Sequence, residues 1–183
     1  MKSTGNVSLW RNKMEQILLV DGYNVIGAWP ELSYLKERDL EAARDKLIEW
    51  MAEYQSYTGY RVVVVFDAQF VRGVKRKSVK HRIEVVFTHE DETADEFIEQ
   101  KAIEWKDART QIIVATSDYT EQWAIFGQGA LRISSRELLF EIQEMSKKVG
   151  QKIKKIQEEM PKSNLNLNSD VISELEKWRR GEQ

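Results

Sequence analysis

Short runs of unbroken apolar residues alternate along this chain with longer stretches whose apolar positions recur every three or four residues. The runs at 17–20, 61–66, 83–87, 112–115 and 130–133 have the length and β-branched content of strands. The first, and the second after Arg61, are continuously apolar, which predicts burial on both faces of a sheet. Arg82 and Glu84 put the third nearer an edge. Leu40, Ala43, Leu47, Trp50 or Met51, and Tyr54 follow helical spacing, with Asp39 as a cap and Gly59 just past the end. Thr93-Ala-Asp-Glu96 is a capping box, so a helix starts at Ala94 and buries Phe97, Ile98, Ala102 and Trp105. A short helix is expected over 119–126, stopping at Gly127. A second capping box, Ser134-Ser-Arg-Glu137, opens a long helix with Leu138, Leu139, Ile142 and Met145 facing inward. That helix turns lysine-rich towards Met160, and Gly150 is its weak point. Trp29-Pro30 and the segment 71–82 read as loops.

Strand and helix in alternation predict one doubly wound α/β domain over 14–160, with helices on both faces of a mostly parallel sheet; the expected strand order is 3-2-1-4-5. Residues 1–13 are polar and aperiodic, and are expected to be a disordered extension or the product of an upstream start codon. Residues 161–169 form an asparagine-rich linker to a final amphipathic helix at 171–179.

Composition narrows the chemistry. The 183 residues contain no cysteine and two histidines, His81 and His89, which leaves neither a thiolate nor a histidine-based metal site. A metal would be held by oxygen, favouring Mg2+ or Mn2+. No apolar run is long enough to span a bilayer, so a cytoplasmic protein with no membrane partner is expected. The net charge of -2 does not mark a nucleic-acid binder, but the charges are unevenly placed.

Acids sit where a parallel sheet binds ligands, at the carboxyl ends of its strands. Asp21 closes strand one, Asp67 closes strand two, Asp118 follows strand four, and Asp95 lies in the first turn of the helix entering strand four. With the order 3-2-1-4-5, strands one and four flank the topological switch point. Asp21 and Asp118 then face each other across it and Asp95 leans in. Like charges so close raise one another's pKa unless a cation neutralises them. Asn24 could orient a water or phosphate. Taken singly, each acid could equally be a helix or turn cap. The complementary feature is a basic run, Arg72, Lys75, Arg76, Lys77, Lys80 and Arg82 with His81, expected on the same edge and suited to RNA phosphates. Trp29, Tyr23 and Trp123 could stack on bases, although core packing is the commoner role for such aromatics.

Four segments together, Val20-Asp-Gly-Tyr-Asn24, Val65-Phe-Asp-Ala68, Glu92-Thr-Ala-Asp95 and Ala115-Thr-Ser-Asp-Tyr-Thr-Glu-Gln-Trp123, resemble the YacP-like branch of the NYN domain family of PIN-like nucleases. The resemblance runs from about Met14 to Met160 and on into Glu176-Lys-Trp-Arg-Arg-Gly181. It implies a three-layer α/β/α PIN-like, Rossmann-like fold with a C-terminal helical extension. It also implies a metal-dependent endoribonuclease that acts with the ribosome and cuts mRNA in the A site during translation. Asp21, Asn24, Asp95 and Asp118 match the family's acidic pocket, and Asp67 a family strand end. A monomer is expected.

The alternative is a PIN-like module that docks on RNA or the ribosome without cutting. Two other classes fit poorly. An aspartyl-phosphate phosphohydrolase of the haloacid dehalogenase type needs an Asp where Tyr23 stands. A dinucleotide enzyme needs a Gly-rich loop that strand one does not lead into.

Overall fold

The structure, a computed structural model, describes residues 14–68, 77–80, 82–117 and 129–159, with backbone alone over 77–80. The expectations for 1–13, for the helix at 119–126 and for the linker and helix after 160 lie outside the described residues.

Six strands form one sheet: β1 (Glu15–Asp21), β2 (Arg61–Phe66), β3 (Lys77–Lys80), β4 (Ile83–Phe87), β5 (Thr110–Ala115) and β6 (Leu131–Ile133). Their order is β3-β4-β2-β1-β5-β6. The five strands expected from sequence are all parallel and lie in the 3-2-1-4-5 order. Val62 to Phe66 are buried without exception, so the unbroken apolar run reports a strand covered on both faces.

Strand β3 lies within the segment 71–82, which the sequence presents as a loop. Lys77–Lys80 pairs antiparallel with β4, Lys77 opposite Val86 and Lys80 opposite Ile83, and so closes the edge that Arg82 and Glu84 had marked. Arg82 turns this hairpin with a φ of 72°, a left-handed conformation unusual for a side chain of its size.

Five helices are described: α1 (Gly22–Ala28), α2 (Pro30–Lys36), α3 (Leu40–Thr58), α4 (Ala94–Glu104) and α5 (Ser135–Glu159). The first two replace the loop expected around Trp29-Pro30. Pro30 occupies the first position of α2, where its missing N–H costs nothing, and Trp29 stands extended between the helices. Both capping boxes form. Thr93 Oγ1 accepts from Glu96 N at 3.2 Å while Glu96 Oε2 accepts from Thr93 N at 3.0 Å. Ser134 Oγ accepts from Glu137 N at 3.2 Å, and Glu137 Oε2 from Ser134 N at 2.7 Å. Helix α5 runs through Gly150 without a break.

The sheet separates two apolar layers. Val20, Val64 and Phe66 on one face pack with Ile26, Trp29, Leu47, Met51, Leu138 and Ile142 of α1, α3 and α5 and the residues between them. Leu19, Val63, Val65 and Val114 on the other face pack with Ala94, Ile98 and Ala102 of α4. The chain divides into two compact units, residues 1–146 and 147–183, and all of this packing belongs to the first. Among the described residues no helix is long and apolar enough to cross a membrane.

Candidate active site

Asp21 ends β1 and, in the same step, caps α1: its Oδ1 accepts from Asn24 N at 3.0 Å. The Asp-Gly pair is therefore a strand-to-helix junction and not a simple turn. Gly22 is required for closeness. A Cβ there would lie 2.2 Å from Phe66 Cε1, so the start of α1 rests directly on that ring. This places Asp21 at the carboxyl edge between β2 and β5, where Val20 pairs with Ala115.

Asp95 reaches the same point from α4. Its helix is pinned by the Thr93 capping box and by burial of Ala94, Ile98 and Ala102 against the sheet. Asp21 is only 8% exposed, and burial pushes its carboxyl up to about 6. The Asn24 N–H opposes that shift, and the negative charge of Asp95 adds to it. The two side chains are close enough to interact directly. Asp95 Oδ1 is buried with no hydrogen-bond partner, as expected where a second carboxylate offers no donor. Among the described residues neither acid has a basic partner.

This pair fits a divalent cation. An orphaned buried oxygen on half-buried Asp95, the buried Asp21 and, among the described residues, no ion-pairing Lys or Arg leave hard oxygen donors with nothing described to neutralise them. Asp118 lies outside the described residues. Among the described residues no group of three or more acidic or histidine side chains gathers as a metal site. Asp67, half-buried after β2, therefore does not complete a trio with Asp21 and Asp95.

Asn24 also has a structural task. Its Oδ1 accepts from Ser117 N at 2.9 Å and from Ser135 Oγ at 3.1 Å. It thus ties α1 to the chain leaving β5, one residue before Asp118, and to the first residue of α5. Trp29 completes the clamp, its Nε1 donating to Ser135 O at 2.6 Å. Trp29 is fully buried and is not a base-stacking surface. Ser135, also fully buried, was missed. Its only signal was the Ser134-Ser135 pair at a helix start, where a single serine suffices for the cap.

The basic run does not lie along the site edge as a whole. Arg72, Lys75, Arg76 and His81 are outside the described residues. The backbone of Lys77 is level with Val86 near the carboxyl end of β4, but Lys80 is opposite Ile83 at the amino end. Arg82 stands there too, exposed, its carbonyl accepting from Gln55 Nε2 at 2.9 Å. The strand carries the later part of the run away from Asp21. A cleft of about 650 Å3 lined by Leu18, Ile113, Ile133, Arg136 and Phe140 opens on the face opposite α4 and does not include the acid pair.

Fold and site together define a PIN-like α/β domain with two acids meeting at the carboxyl edge of its central strands. The pattern of the YacP-like NYN domain matches residues 18–180. The uncharacterised protein YacP of Bacillus subtilis (strain 168) is 58% identical over 166 residues, 91% of this chain and 98% of that protein. Two crystal structures of Rae1 (YacP) from Bacillus subtilis each match with a TM-score of 0.70. One is 58% identical and covers 90% of this chain and 95% of its own. The other, a mutant, is 55% identical and covers 91% and 96%. The chain belongs to the YacP-like NYN domain family. That membership gives it a nuclease-like domain and an RNA-related function.

Proposed function

We propose that the protein is a divalent-metal-dependent endoribonuclease acting on mRNA at the ribosome, where it cuts in the A site during translation. The observation that carries the catalytic part is the Asp21–Asp95 pair, a buried and a half-buried acid with no basic partner among the described residues, the second with an orphaned buried oxygen. Asp21 and Asp95, with Asp118, would hold Mg2+ or Mn2+. Such an ion supplies a more acidic water and stabilises charge on a phosphoryl oxygen. Asp21 is fixed by its cap on α1, and Asn24 fixes the chain that leads into Asp118. Hydrolysis then adds a water oxygen to phosphorus, breaks one P–O ester bond and returns a proton to the leaving oxygen. The mRNA, the ribosome and a cytoplasmic, monomeric protein rest on kinship with the YacP branch.

The test is RNA cleavage by purified protein, alone and on translating ribosomes, with Mg2+ or Mn2+. Asp21→Asn and Asp95→Asn are each expected to lose about 100-fold or more in rate. Undiminished cutting by both variants overturns the assigned site. One observation favours a second reading, a module that docks without cutting: among the described residues only two acids come together. In that case neutralising Lys75, Arg76 and Lys77 abolishes function while Asp95→Asn leaves it intact.

A further inference from the structure

Opposite the acid pair, across the carboxyl edge of β1, β2 and β4, four side chains close into a ring. Tyr23 packs on Phe66 with ring centroids 5.1 Å apart, and Phe66 stacks on Phe87 at 5.4 Å. Arg44 Cζ lies 6.0 Å from the centre of the Phe87 ring. Arg44 NH1 donates to Tyr23 Oη at 3.1 Å, which completes the circuit. Phe66 is fully buried, whereas Tyr23, Phe87 and Arg44 are half-buried and reach the surface.

The arginine is the unusual member. It rises from α3 at the flank of the buried face formed by Ala43, Leu47 and Ile48. Among the described residues it has no carboxylate partner, and its guanidinium makes one hydrogen bond, to a neutral hydroxyl. Arg61, by contrast, is paired with Glu84 at 3.1 Å and lies over the Trp105 ring. A half-buried guanidinium has five N–H donors in a planar fork suited to a phosphate. Holding it at an aromatic face without a counter-charge keeps that fork available at a fixed place. Tyr23 is two residues from Asp21, so the ring and the acid pair are two ends of one short edge.

We infer that Arg44, with the Tyr23 and Phe87 rings beside it, is a binding site for single-stranded RNA. Arg44 takes a backbone phosphate and the aromatic edges take the adjoining base, one or a few nucleotides from the scissile bond. This rests on the reading of the acid pair as a ribonuclease site. A strand crossing the carboxyl edge passes from the α4 layer, which holds Asp95, to the α3 layer, which holds Arg44. Lys80 and Arg82 of the basic run lie at the other end of β4, away from this ring.

The test uses the full chain carrying Asp21→Asn, so that binding is read without cutting. A fluorescent single-stranded RNA oligonucleotide is titrated at several KCl concentrations and its anisotropy followed. Loss of one phosphate contact lowers the log–log salt slope by about 0.7 and weakens binding roughly fivefold at 0.1 M salt. Arg44→Gln is expected to show both effects, and Arg44→Lys to recover the slope with part of the affinity. Tyr23→Phe, which keeps the charge but frees the fork, is expected to weaken binding with the slope unchanged. Its fold can be checked independently of Arg44→Gln. Arg44 variants that bind like their parent, or that weaken with no change of slope, overturn this inference alone. A parent that binds no RNA overturns both this inference and the ribonuclease reading.

Discussion

Gly22 and Asp21 show how much one residue settles at this site. The Gly22 backbone is pressed against Phe66, and any Cβ there must push the ring or lift α1. Gly22→Ala is therefore expected to cost about 1–3 kcal/mol, the usual range for overpacking. Trimming the obstacle should return part of that, so a Gly22→Ala, Phe66→Leu cycle in urea should show clear coupling; additive losses would sink the contact as the cause.

Asp21 gives a pH signature. Its carboxyl is raised to about 6 from 3.8, mainly by burial and then by Asp95. A raised folded pKa means that the folded state binds the proton more tightly. Without a cation, the stabilisation from this proton is complete below about pH 4 and is lost as pH rises through about 6. In chelator, the stability difference between the protein and Asp21→Asn should change by about 2–3 kcal/mol between pH 4 and pH 7. A pH-independent difference would show that the carboxyl is not so perturbed.

At the scale of elements, what was legible was local chemistry. Thr93, Glu96, Ser134 and Glu137 announce two helix starts because both partners of each capping box lie within three residues. The doubly wound sheet followed from the alternation of strand and helix, and the expected order 3-2-1-4-5 is the one found. The misses have equally physical causes. Helices α1 and α2 have seven residues each, too few for a period to declare itself, and Pro30 read as a breaker when it was a first-turn residue. Strand β3 carries Lys-Ser-Val-Lys with no apolar alternation; an edge strand tolerates such charge, so composition pointed to a loop.

Asn24 was recognised as important, but its role could not be read, since its partners lie 93 and 111 residues away. The clamp it forms makes a prediction about elements. Asn24→Ala removes the shared acceptor of Ser117 N and Ser135 Oγ and should cost roughly 1–3 kcal/mol. It should also lower cleavage, by loosening the chain one residue before Asp118. Asn24→Asp keeps an acceptor and should retain more stability than the alanine variant. Equal losses in the two would argue that volume and not hydrogen bonding is at stake.

For the whole molecule, the two layers of the core converge on a point that the packing itself does not satisfy. Helix α4 is brought against one face by Ala94, Ile98 and Ala102, and α1 is set on the other by Phe66 and Trp29. The apolar packing that fixes both elements also forces Asp21 and Asp95 together, and no basic residue described here compensates them. Part of the folding free energy is spent on that repulsion, and a cation at the pair should return it. Binding to the folded state alone stabilises by about 2.7 kcal/mol at a hundred times Kd. For a domain of this size that is a rise in Tm of roughly 5–10 °C. Thermal unfolding in chelator, then with rising Mn2+ or Mg2+ at pH 7.5, should show this rise in the native chain and little of it in Asp21→Asn or Asp95→Asn. The same variants should begin from a higher Tm in chelator, because each removes one of the two repelling charges. Both signs must appear together. A native Tm indifferent to either ion, or variants that start lower and respond equally, would mean that the acid pair is an electrostatic accident of packing and not a cation site.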